Sequence, residues 1–120
     1  MKIYLKDLLK KFEKINSIVL FGSYAKGNFD KRSDIDLCII LKENSDRNNE
    51  IKIHEYILEL SKELNVIIEG VYIYLDNLNR WDPSFIINII NEGILIVGFQ
   101  NYENIFKTYI KKELLKFNFS

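Results

Sequence analysis

Residues 21–39 read Phe-Gly-Ser-Tyr-Ala-Lys-Gly-Asn-Phe-Asp-Lys-Arg-Ser-Asp-Ile-Asp-Leu-Cys-Ile. Upstream of Gly22 lies a short apolar run, Ser17 to Phe21, rich in β-formers. It stops at Gly22-Ser23 and so reads as a buried strand entering a turn or short helix. Glycine lets a backbone approach a ligand closely. Amides at a helix start, with a serine hydroxyl, suit a phosphate, and Lys26 is within reach of the same anion. Polar turn material, Asn28 to Ser33, follows. Ten residues after Ser23 comes Asp34, then Ile35 and Asp36, on or beside a second apolar strand, Ile35 to Leu41.

Residues two apart on a strand share a face, with Cα atoms roughly 6.5–7 Å apart. Two carboxylates so placed repel one another. An oxygen-ligated divalent cation relieves that repulsion, and Mg²⁺ leaves its other positions to water and substrate phosphates. Each piece alone is ordinary: Gly-Ser and Ser-Asp are common turn chemistry. Asp36 is different. It lies between Ile35 and Leu37 inside an apolar strand, where an acid is rarely buried without a partner.

Outward from this stretch the periodicity alternates. Leu5, Leu8, Leu9, Phe12 and Ile15 predict an amphipathic helix over 3–15. Residues 43–50 are polar and predict a loop, the most flexible segment of the chain. Ile53, Tyr56, Ile57, Leu60 and Leu64 restore a helical period, and Val66 to Leu75 predicts a third strand. Asp82-Pro83 is a helix start, with Trp81 as its hydrophobic staple. That helix ends at Gly93, expected at C′, before a fourth strand, Ile94 to Val97. Tyr102, Ile105, Phe106, Tyr109, Ile110, Leu114 and Phe117 predict a last helix. Helices alternating with strands give an α/β or α+β sheet with helices packed on it.

The 120 residues suit one domain, 1–120, with 48% apolar and 28% charged residues, as in a globular protein. Net charge is zero, which argues against general nucleic-acid binding. Lysines concentrate near the two ends: Lys2, Lys6, Lys10, Lys11 and Lys14, and Lys107, Lys111, Lys112 and Lys116. These read as basic surface helices. No apolar run is long enough to span a bilayer, the first residues are charged throughout, and a cytoplasmic location is expected. The one cysteine, Cys38, is placed in the core. His54 is placed at the surface of the middle helix.

Gly22-Ser23, ten residues, then Asp34-x-Asp36, within GSYAKGNFDKRSDIDL, resembles the signature of the DNA polymerase β-like nucleotidyltransferase superfamily, and of its minimal nucleotidyltransferase (MNT) domains above all. Asn91-Glu92-Gly93-Ile94-Leu95 is similar to a segment near the end of many such domains. The resemblance implies the nucleotidyltransferase fold: a small mixed sheet of about four strands flanked by helices. It implies Mg²⁺, two ions, on Asp34 and Asp36, with Gly22, Ser23 and Lys26 on the nucleotide. It implies a third carboxylate on the third strand, usually Asp. Here that residue is Glu69, one methylene longer, as a catalytic residue and further metal ligand that helps the ion lowering the acceptor's pKa, with Asp76 as the fallback.

The activity so implied is transfer of a nucleoside monophosphate, AMP from ATP, to a hydroxyl. Minimal members are often antitoxins paired with a HEPN-domain RNase toxin, and can adenylylate a toxin tyrosine. The contrasting readings are a binding module with a vestigial site and an orphan small-molecule transferase. Aromatic and aliphatic residues on more than one stripe of the last helix, with Phe117 and Phe119 near the C-terminus, predict that a homodimer or toxin-like partner covers this end.

Overall fold

The computed structural model describes residues 2–27, 34–43 and 47–117. In chain order these form α1 (Lys2–Lys11), β1 (Ile15–Phe21), α2 (Gly22–Lys26), β2 (Ile35–Leu41), α3 (Arg47–Leu64), β3 (Ile68–Tyr74), a 3₁₀ turn (Leu78–Arg80), α4 (Pro83–Glu92), β4 (Ile94–Gly98) and α5 (Tyr102–Phe117). The four strands make one mixed sheet in the order β3-β2-β1-β4. β1 runs antiparallel to both its neighbours, while β2 and β3 are parallel. A parallel pair needs a long crossover, and α3 supplies it.

β2 explains the layering. Ile35, Leu37, Ile39 and Leu41 pack with Leu5 and Leu8 of α1 and Ile53 and Ile57 of α3. Cys38 and Ile40 pack on the other face with Ile86 and Ile89 of α4 and Tyr102 and Phe106 of α5. A strand covered on both faces reads as a continuous apolar run, and Asp36 is the one interruption in it.

Several boundaries differ from the sequence reading. The first helix stops at Lys11, not residue 15. Ile15 instead opens β1, paired with Leu41 and buried. Its place in the helical period is coincidental, since burial in the sheet suits a β-branched side chain. The expected 43–50 loop is half helix: α3 begins at Arg47, and residues 44–46 lie outside the described residues. In this first helical turn Asn48 is exposed, while Asn49 and Glu50 are half-buried. Glu50 accepts a hydrogen bond from the Tyr74 hydroxyl.

Asp82 caps α4 as expected, accepting from the Ser84 amide at 2.9 Å and the Ser84 hydroxyl at 2.8 Å. Trp81 packs on Phe85 with ring centroids 5.0 Å apart. Gly93, by contrast, is not left-handed: its φ is −70° and ψ 144°. It is needed for close approach, because a β-carbon there would lie 2.5 Å from the Ile89 carbonyl oxygen and 2.7 Å from Val19 Cγ1. No helix among the described residues is long and apolar enough to cross a membrane.

Candidate active site at the β1–α2 turn

The site is built where β1 ends and β2 and β3 begin. Phe21, the last residue of β1, is extended, and Gly22 then turns with φ +74° into the short helix α2. A β-carbon on Gly22 would lie 2.4 Å from Asp36 Oδ2. Both the left-handed backbone and this contact demand glycine. Ser23 follows on the first turn of α2. The Asn28–Ser33 turn lies outside the described residues.

Register then aligns three side chains. Asp36 pairs with Phe21 across the antiparallel β1–β2 ladder and with Glu69 across the parallel β2–β3 ladder. Residues so paired share a face, with neighbouring strands about 4.8 Å apart. Phe21, Asp36 and Glu69 therefore form one row on the face that carries α4 and α5. Asp34, just before β2, is close enough for its charge to act on Asp36. Burial first, and the Asp34 carboxylate second, push the Asp36 carboxyl above the ordinary carboxylate range. Two like charges held at a partly desolvated oxygen pair form a hard, oxygen-only donor set. It fits a divalent cation such as Mg²⁺, and the Gly22 cradle leaves the Asp36 oxygen room on that side.

Glu69 shares the row, but its side chain is exposed. Among the described residues no three Asp, Glu, His or Cys side chains converge closely enough to hold a metal as they stand. Lys26 is turned elsewhere: its ammonium pairs with Glu92 of α4 at 3.1 Å, both side chains being partly exposed. The fallback carboxylate, Asp76, is ruled out by topology. It follows the C-terminal end of β3, whereas Asp36 is level with Glu69 near the N-terminal end. Cys38 is fully buried, and burial pushes its thiol up. His54 is exposed, as expected.

One feature of the site escapes the sequence reading. Phe21 meets Phe85 of α4 edge-to-face at 5.5 Å, and Phe85 meets Trp81 at 5.0 Å. The Trp81 indole N–H donates to the Tyr72 carbonyl of β3 at 3.1 Å. These rings thus cross the sheet face from β1 to β3, beside the carboxylate row. Phe21 alone was visible as a strand residue; its partners are some sixty residues downstream.

A mixed four-stranded sheet with carboxylates at the start of β2, facing a glycine turn, defines a nucleotidyltransferase architecture. The family model described as polymerase beta, nucleotidyltransferase, matches residues 4–110, and the chain belongs to that family. A Methanocaldococcus jannaschii protein named for a proposed protein adenylyltransferase activity is 32% identical over 82 residues, covering 68% of this chain and 79% of that protein. A second protein so named in the same organism is 43% identical over 92 residues, covering 77% and 86%. Among solved structures, a toxin–antitoxin complex with AMP-PNP superposes with a TM-score of 0.70 at 20% identity, over 97% of this chain and 88% of that one. A chain from the complex of a tri-AMPylated Shewanella oneidensis HEPN toxin with its MNT antitoxin gives 0.60 at 18% identity, over 98% and 89%. At these identities the structural likeness is one of fold.

Proposed function

We propose that this chain transfers AMP from ATP to a tyrosine hydroxyl of a partner HEPN-domain toxin and so acts as an antitoxin. The observation that carries the reading is the close approach of Gly22 to Asp36, which sets the glycine turn directly against that carboxylate. The names of the relatives and the toxin–antitoxin neighbours support the acceptor class. In this reading Asp34 and Asp36 hold Mg²⁺, and Gly22 and Ser23 receive the β- and γ-phosphates. Bound there, the metal supplies charge neutralisation along the triphosphate.

The acceptor oxygen bonds to the α-phosphorus as the bond to the β-phosphate breaks, and pyrophosphate leaves. The acceptor proton passes to the exposed Glu69 carboxylate. The chain contributes position and charge, as phosphoryl transfer generally requires. Lys26 joins the phosphates only by leaving Glu92.

A second reading is favoured by one observation: the exposed Glu69 and the lack of a three-acid cluster among the described residues. In it the site is vestigial and the chain neutralises its partner by binding alone. Incubating the chain and a HEPN-domain partner with labelled ATP and Mg²⁺, then weighing both intact chains, separates the two. A partner gaining AMP mass supports transfer; an unmodified partner in a stable complex overturns it.

A further inference from the structure

Resting on that transferase reading, we propose that Trp81, backed by Phe85, is the surface that positions an aromatic acceptor. The argument begins with the direction of the reaction across the sheet. The phosphate-binding turn follows β1, the metal-binding carboxylates stand at the start of β2, and Glu69 stands on β3. Phe21, Asp36 and Glu69 are level in register. In-line displacement puts the entering oxygen opposite the departing pyrophosphate. With pyrophosphate at the β1 side, the acceptor enters from the β3 side.

β3 is an edge strand of the sheet. What stands there is Trp81, fixed to the edge by its indole N–H on the Tyr72 carbonyl. Tyr72 is three residues beyond Glu69, about 10 Å along the strand, a span that a phenol ring and its hydroxyl largely fill. Phe85 holds the indole at 5.0 Å with ring planes 33° apart, and Phe21 braces Phe85 in turn. Trp81 and Phe85 are each only half-buried, so part of the wall stays open to solvent. Half-open aromatic faces prefer another ring, in stacked or edge-to-face contact. A serine or threonine acceptor brings no ring and gains nothing from this wall. The wall therefore selects a phenolic hydroxyl over an aliphatic one. The nucleoside, attached to the α-phosphate between the two sides, does not lie on this line.

Trp81 is the only tryptophan in the chain, so its emission reports the wall directly. The full chain is titrated with N-acetyl-tyrosinamide, and separately with N-acetyl-serinamide, in the presence of Mg²⁺ and a non-hydrolysable ATP analogue. Saturable change of indole emission with the phenol and none with the serine compound is expected. Emission indifferent to the phenol overturns the proposal. In parallel, AMP transfer to a tyrosine peptide is followed. Trp81→Leu should raise the peptide KM about tenfold and leave the ATP KM within about twofold, with Trp81→Phe recovering most of the loss because the ring is kept.

A rise in the ATP KM instead would make the wall a nucleobase platform. Equal losses in both variants would make it merely structural. Either result overturns the assignment. If the wild type modifies no peptide yet its emission still saturates with the phenol, the transferase reading fails and the aromatic wall stands. If Trp81→Leu does not fold, the wild-type titration decides alone.

Discussion

Gly22 and Asp36 are locked together: a single methyl on Gly22 would lie 2.4 Å from Asp36 Oδ2, in a backbone already at φ +74°. The turn we assign to phosphate and the carboxylate we assign to metal are thus one structural unit. Gly22→Ala should cost about 1–3 kcal/mol of stability from backbone strain and the contact together. It should also displace the Asp36 carboxyl and abolish metal-dependent ATP binding. Denaturant unfolding and calorimetry with Mg-ATP check both; a variant with wild-type values in each would show that the contact is dispensable.

Asp36 carries a stability signature of its own. Its carboxyl is raised above 3.8 in the folded chain by burial and by Asp34, so the folded state binds its proton more tightly than the unfolded state does. The charged form therefore destabilises the metal-free fold above the folded-state pKa. That penalty is relieved as pH falls through the folded pKa toward the ordinary value. Asp36→Asn should accordingly raise the melting temperature at pH 7 without divalent metal, with the gain vanishing near pH 4. A variant less stable than wild type at pH 7 would contradict this sign. With Mg²⁺ and ATP present the order should reverse, because only the wild type gains from binding.

The strands that build the site were legible because they are short apolar runs with hard stops: Phe21 before Gly22, and Ile35 after Asp34. The Asp82 cap was legible for a similar reason, since its chemistry is local. Boundaries failed where a residue satisfied two patterns. Ile15 fits the helical period of α1 but is claimed by its partner Leu41. Gly93 reads as a left-handed cap, yet glycine is required there by the Ile89 carbonyl and by Val19, and the second is a long-range contact that no local pattern encodes. The carboxylate row divides the same way. Asp34 and Asp36 follow from their spacing at the start of one strand. The level alignment of Asp36 with Glu69 is a property of register between strands, and so is the exclusion of Asp76.

Glu69→Ala offers a direct reading of the third carboxylate. If it takes the acceptor's proton, turnover should fall far more than ATP affinity, because the interaction exists mainly in the transition state. Stability should change by no more than about 0.5 kcal/mol, as for other exposed positions. Single-turnover transfer measured beside equilibrium ATP binding separates the two effects. Equal transfer rates in variant and wild type would remove Glu69 from the chemistry, since Asp76 is at the wrong end of β3 to replace it.

The last turn of α5 tests the expected partner surface. Tyr102, Phe106 and Ile110 belong to the core, but Leu114 and Leu115 stay 57% and 46% exposed. The side chains of Phe117 and Phe119, expected to join them, lie outside the described residues. Lys107, Lys111 and Lys112 are exposed on the same helix. Two exposed leucines contribute little to the fold, so Leu114→Ser with Leu115→Ser should shift stability by no more than about 0.5 kcal/mol. Binding of a HEPN-domain partner should weaken by about tenfold or more if these side chains are buried in the complex. Lysine-to-glutamine changes at 107, 111 and 112 should instead slow association and flatten its salt dependence, leaving dissociation nearly unchanged. Surface plasmon resonance at two ionic strengths distinguishes these outcomes. Wild-type affinity in the double leucine variant would mean that the partner docks elsewhere on the chain.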